Sequence, residues 1–128
     1  MKPELTMLVW AVVLAFVQML IAVQGAMGQV GLLTLVANRE NFPELTGWAG
    51  RAYRAHRNMI ENLVLFACLV LVAVAAGRSN GMTLLGAEVF LWARVAYAVV
   101  YLIGLPWLRT GVWAVSVAGL ILIFSQLL

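Results

Sequence analysis

One short segment gathers most of the side chains able to do chemistry. Arg51-Ala52-Tyr53-Arg54-Ala55-His56-Arg57-Asn58-Met59-Ile60-Glu61-Asn62 runs straight into Leu63-Val64-Leu65-Phe66. On a helix, Arg54, Arg57, Asn58 and Glu61 fall within an arc of about 100°, and His56 points the other way. Two guanidiniums, an amide and a carboxylate thus share one face at the edge of an apolar run. The chemistry on offer is charge-assisted hydrogen bonding. A plain alternative is a solvated helix end with an Arg57–Glu61 pair at i, i+4. Against it, a carboxylate leading directly into hydrocarbon is costly unless partnered, and such residues usually face a bundle interior or mark a site.

A second set lies downstream. Arg94 stands inside an apolar segment, with Tyr97 and Tyr101 at i+3 and i+7 on the same helical face. It marks a site, or it pairs structurally with Glu61 or Glu88; the two tyrosines fit a site or plain packing. Glu88, on the opposite face, reads as interfacial or as the partner of Arg78. A third pattern is a stripe of small and amide residues: Ala11, Ala15, Gln18, Ala22, Gly25, Ala26 and Gln29. Small residues let helix backbones approach closely and amides hydrogen-bond between helices, so this is a packing face. Too polar for lipid, it is expected to lie against protein, in a trimer. His56 reads as an exposed helix-end histidine. Neither it nor Cys68 has metal-ligand spacing, and a single cysteine forms no internal disulfide.

The elements that must position these residues are membrane spans. The 128 residues are 65% hydrophobic and only 10% charged, against about 25% charged in soluble domains. Mean hydropathy is +1.02. In lipid every backbone polar group needs an internal partner, which leaves helices or closed barrels. No segment alternates as a barrel strand does. The spacing predicts one all-α, four-span domain over 1–128. The first apolar stretch runs from about Leu5 to Ala37, and the second, with a polar lead-in, from about Trp48 to Ala76. The third runs from about Met82 to Leu105 and the fourth from about Trp107 to Leu128. Each can supply the roughly 20 residues of a span. Asn38-Arg39-Glu40-Asn41-Phe42-Pro43, Gly77-Arg78-Ser79-Asn80-Gly81 and Gly104-Leu105-Pro106 separate them. The apolar run passes beyond the cleavage-like Ala22-Val23-Gln24-Gly25-Ala26, as in a retained anchor. Arg39, Arg51, Arg54, Arg57 and Arg109 flank the first and third connections. Those loops are therefore expected in the cytoplasm and both termini outside. The net charge of +3 reflects this topology and not nucleic-acid binding, because no basic stripe is free of the spans.

Arg54-Ala55-His56-Arg57-Asn58-Met59-Ile60-Glu61, followed by Arg94-Val95-Ala96-Tyr97-Ala98-Val99-Val100-Tyr101-Leu102, closely resembles the MAPEG family, the membrane-associated proteins in eicosanoid and glutathione metabolism. Gly28-Gln29-Val30 and Arg109 also match, and the resemblance covers nearly the whole chain. It implies a homotrimer of four-helix bundles that binds glutathione between subunits near the cytoplasmic helix ends. It assigns glutathione contacts to Arg54, Arg57, Asn58, Glu61, Arg94 and Tyr101, with His56 nearby, and places Arg109 and Thr110 beside the reactive thiol. The residue types suit that ligand. Guanidiniums take carboxylates bidentately, Glu61 suits an ammonium, Asn58 a peptide group, and Arg109 with Thr110 would favour the thiolate.

The implied function is a glutathione-dependent transferase or peroxidase acting on lipophilic electrophiles that reach the thiolate from the surrounding lipid. The alternative is a non-catalytic trimer binding lipid or a small ligand. A proton-coupled exporter of four helices needs a membrane-embedded carboxylate in the first helix, where only Gln18 is on offer. The chain also departs from the family pattern. Gly31 and Leu32-Leu33-Thr34 replace a basic stretch, and the loop Ala37-Asn38-Arg39-Glu40-Asn41 lacks an Asp found in prostaglandin-forming members. Tyr97 and Trp113 stand where those members have His and Tyr. These changes argue against prostaglandin synthesis.

Overall fold

The computed structural model describes residues 1–40 and 42–128; Asn41, in the first connection, lies outside the described residues. Helix α1 spans Pro3–Val30, α2 Leu32–Val36, α3 Gly47–Ala75, α4 Gly81–Ile103 and α5 Pro106–Ser125. All but α2 are long and apolar enough to cross a membrane. The chain is an integral, multi-pass membrane protein.

Local chemistry sets the ends. Pro3 and Pro106 open α1 and α5, where a missing N–H costs nothing. Asn80 and Thr83 form a reciprocal capping box on α4. Helix α3 closes on Gly77 at φ +67°, with Arg78 N donating to Ala73 O at 2.8 Å, and α4 closes on Gly104 at φ +90°. Left-handed glycines are the usual way to stop a helix without exposing its last carbonyls.

The first apolar stretch departs from the sequence expectation. It is not one helix to Ala37 but two, broken at Gly31, whose φ is +83°. Helix α1 alone is 28 residues, about 42 Å at 1.5 Å per residue, so the span is already complete at Val30. Residues Leu32–Val36 then turn away, with Leu33 and Val36 exposed.

Packing inverts the soluble pattern. Trp10, Phe16, Leu65, Leu71, Trp92, Trp107 and Ile121 are exposed, while Glu4, Gln18, Asn62, Thr83, Arg94 and Ser116 are buried. An outer surface this apolar is a lipid-facing surface. Between the helices, Phe66 stacks on Phe90 with centroids 4.1 Å apart, amid fully buried Met59, Val70 and Ile123. Helices α4 and α5 meet backbone to backbone. A Cβ at Gly86 would sit 2.6 Å from Gly119 O, and one at Gly119 2.7 Å from Gly86 O. The stripe of α1 is a packing face, as its spacing predicts. Ala11, Ala15, Gln18, Ala22, Gly25 and Ala26 are all buried, and a Cβ at Gly25 would lie 2.9 Å from Ala49 Cβ. That face is covered within the chain, by α3 and α4, so it carries no argument for a trimer.

Candidate functional site

The predicted residues divide into two groups. Asn58, Arg94, Tyr97, Tyr101, Arg109 and Thr110 come together where α3, α4 and α5 meet. Arg54, Arg57 and Glu61 stand on the open face of α3. Arg57 Nε lies 3.4 Å from Glu61 Oε1, and the two side chains are 71% and 63% exposed. In this chain alone that pair is the solvated i, i+4 contact that surface helices commonly carry.

The inner group has an unusual electrostatic balance. Arg94 is 1% exposed. Its Nη2 donates to Asn58 Oδ1 at 2.8 Å. Its guanidinium lies 4.2 Å from the centroid of Tyr97, a cation–π contact. Its Nε and Nη1 have no partner. The alternative of a structural pair between Arg94 and Glu61 or Glu88 is not formed: among the described residues the one ion pair is Arg57–Glu61. The helical arc gave Arg94 and Glu61 plausible faces, but the nearer polar group across the α3–α4 contact is the Asn58 amide. Asn58 Oδ1 is held in turn by Asn62 Nδ2 at 3.2 Å, which also donates to Asn58 O at 2.9 Å. Glu88 is not paired with Arg78 either; it lines the cleft between α1 and α4.

Beside Arg94, Tyr97 and Tyr101 meet edge to face at 5.5 Å, so they are both packing and site wall. Arg109 lies 4.5 Å over the Tyr101 ring. Asn58, Tyr97, Arg109, Thr110 and Trp113 line a cavity of about 160 Å³. Tyr97 and Trp113 thus belong to the wall of the site; the signals in the sequence are the face Tyr97 shares with Arg94 and, for both, the departure from the family pattern. Thr110 Oγ1 donates to Pro106 O at 3.1 Å, so its proton is already in use. Arg94 and Arg109 bring two positive charges, and among the described residues neither is in an ion pair. Two unsatisfied donor nitrogens and uncompensated charge away from water are what an anionic, oxygen-bearing ligand would relieve.

The neighbouring polar groups have structural work. Arg51 Nε donates to Leu102 O at 3.0 Å, capping the end of α4. Gln29 makes two bonds to Thr46, donating to its carbonyl at 2.7 Å and accepting from its N–H at 3.0 Å, which ties the end of α1 to the start of α3. His56 is not an exposed helix-end residue. It is half-buried and, with Arg39, Phe42 and Tyr53, lines a cavity of about 510 Å³ between α1, α2 and α3.

One polar cluster had no counterpart in the sequence reading. Glu4, 2% exposed, accepts from Ser79 Oγ and, at 2.8 Å, from Thr83 Oγ1. It joins the start of α1 to the start of α4. Helix α1 therefore does carry a buried carboxylate, at its start, in addition to the Gln18 amide. Pro3-Glu4 in a first helical turn was the available signal, since acids favour helix N-termini.

Four apolar helices with an arginine-rich polar cluster at one end define a polytopic helical membrane protein with a candidate anion site between its helices. A family model described as the MAPEG family matches residues 6–128, and the chain belongs to that family. Comparison with curated proteins and with solved structures gives no match.

Proposed function

We propose that the chain, acting as one domain, is a glutathione-dependent transferase or peroxidase for lipophilic electrophiles. The observation that carries this is Arg94, a buried guanidinium whose Nε and Nη1 have no partner and which is in no ion pair among the described residues. Glutathione supplies what this cluster lacks. Its carboxylates suit Arg94 and the exposed Arg54 and Arg57, its ammonium suits Glu61, Asn58 lines the cavity, and Tyr101 lies behind it against Tyr97 and Arg109. Arg109 lies against the cavity wall, where positive charge favours a thiolate over a thiol. Thr110 can assist only by releasing its bond to Pro106, so Arg109 bears the larger share.

The open face of α3 supports the homotrimer that the family resemblance implies. Arg54, Arg57 and Glu61 lie on it, and exposed Val64, Leu65, Leu71 and Val72 continue along the same helix. A second copy covering that face would place glutathione between subunits. In this reading the α1–α3 and α4–α5 connections face the cytoplasm and both termini lie outside. The engaged hydroxyl of Thr110 favours one other reading, a trimer that binds glutathione or a lipid without turnover.

Titration calorimetry of glutathione into the protein in lipid nanodiscs is the direct test. Saturable binding that Arg94→Leu removes is expected; heats unchanged by that variant would overturn the proposal. Turnover of a model electrophile by the same sample decides between enzyme and binder.

A further inference from the structure

Helix α1 carries one buried polar side chain that its packing leaves without a partner and the proposed site does not use. Gln18 is 7% exposed, and its Oε1 has no hydrogen-bond partner. Gln29, on the same stripe, is satisfied twice by Thr46, so the contrast lies within one helix. An amide oxygen left unpaired away from water costs free energy that a bare packing role does not return.

Gln18 also borders empty space. It lines a cavity of about 190 Å³ with Leu14, Val17 and Ile21 of α1, Ala52 and Ala55 of α3, and Val95, Ala98, Val99 and Leu102 of α4. The void exists because three alanines face it, and Gln18 is its one polar side chain. This cavity lies beside the arginine cluster and not within it: Val95, Val99 and Leu102 turn away from the face that carries Arg94, Tyr97 and Tyr101, and Ala55, which packs on the two tyrosines, stands between the two spaces. It shares Leu14, Val17 and Val95 with a second cavity of about 510 Å³, which runs between α1 and α4 past Met7, Trp10 and Trp92 to Glu88. From Glu88 to Leu102 the joined cleft follows α4 for 14 residues, about 21 Å. Along that length Gln18 is the one amide.

We propose that the α1–α4 cleft is a binding site for a single-chain lipid that carries a hydroxyl group partway along its chain. The apolar walls take the chain, and the hydroxyl donates to Gln18 Oε1. The buried end of the amide needs a polar partner whichever way the amide is turned, which a hydroxyl supplies as donor or acceptor and an unsubstituted chain does not. A cleft of this length open to the bilayer will admit acyl chains in general; the amide is what discriminates among them. The site is separate from the glutathione cluster and does not rest on that reading.

The test compares two neutral probes, methyl 12-hydroxyoctadecanoate and methyl octadecanoate, at equal loading in phosphatidylcholine nanodiscs. Protein-retained probe is measured by native mass spectrometry. The wild-type protein is expected to retain the hydroxylated probe about fivefold better, the size of one neutral hydrogen bond. Gln18→Leu should erase that preference while keeping the chain, and Ala98→Leu, which fills the void, should lower retention of both probes. A thermal melt of each variant shows whether the fold is kept, and Gln18→Leu should leave glutathione affinity unchanged. Equal retention of the two probes by the wild-type protein would overturn the proposal. So would a preference that survives Gln18→Leu.

Discussion

The two polar clusters at opposite ends of α4 differ in one respect that separates structure from function. At its start, Glu4, Ser79, Asn80 and Thr83 close on one another. The carboxylate accepts from two hydroxyls, Asn80 Oδ1 accepts from two backbone N–H groups, and Thr83 answers the Asn80 N–H. In the second half of the helix, Arg94 holds one amide and leaves two donors empty. Both clusters bury an ionisable side chain almost completely. Only the second leaves a charge for something else to meet. A satisfied network specifies a fold, whereas an unsatisfied one in the same protein is costly enough to need another reason for being there.

The largest effect expected from this contrast is on ligand affinity at Arg94. Arg94→Leu removes two charge-assisted hydrogen bonds to the ligand. At about 1.5 kcal/mol each the loss is about a hundredfold in glutathione affinity. Stability should hold or rise, because an uncompensated charge is replaced by a hydrocarbon group and Asn58 keeps its bond from Asn62. Calorimetry and a thermal melt on one sample check both halves. A collapse of stability with intact binding would make the two clusters alike.

Glu4→Ala should give the opposite signature. It strands the hydroxyl of Ser79 and leaves that of Thr83 with Asn80 O alone at the junction of α1 and α4, a loss of about 2 kcal/mol in stability. Glutathione affinity should stay within error, since Glu4 is not among the residues around Arg94. A large change in affinity without early melting would erase the distinction between the ends of α4.

The same contrast explains what could be read from the sequence. The four spans were legible because each is a long apolar run closed by glycine, proline or asparagine. The break at Gly31 was not, because Leu32–Val36 continues the hydropathy while the chain turns. Helical arcs grouped Asn58 with Arg57 and Arg94 with Tyr97 and Tyr101. They could not say which residue of α3 sits level with Arg94, because depth between helices depends on packing and not on period. Glu4 falls in no motif of the sequence, and only its burial against Ser79 and Thr83 reveals its role. The small-residue stripe of α1 was read correctly as a packing face, but its partners are α3 and α4 of the same chain.

Within the open cluster, Arg109 should act on chemistry more than on binding. Arg109→Ala removes positive charge beside the cavity and the cation–π contact with Tyr101. Turnover of a model electrophile should fall about tenfold or more while glutathione affinity changes by less than about threefold, an effect confined to the reacting state. Equal losses in both would make Arg109 part of the clamp.

The smallest effect, and the one that bears on assembly, is at Glu61. In the single chain its carboxylate is exposed and touches only Arg57, a contact worth at most about 1 kcal/mol in water. If α3 stayed open to its surroundings, Glu61→Gln would alter neither stability nor glutathione affinity by more than about twofold. In the proposed trimer a second copy covers this face, the carboxylate meets the ligand's ammonium out of water, and the same substitution should weaken glutathione by about fivefold. Gln keeps the shape and one accepting oxygen, so the loss reports charge and not packing. The measurement pairs glutathione affinity with particle mass from light scattering in mild detergent. A trimeric mass with a fivefold loss places Glu61 at a covered interface. A monomeric, helical particle with unchanged affinity would leave Arg57–Glu61 as a surface pair and confine the binding site to Asn58, Arg94 and Arg109.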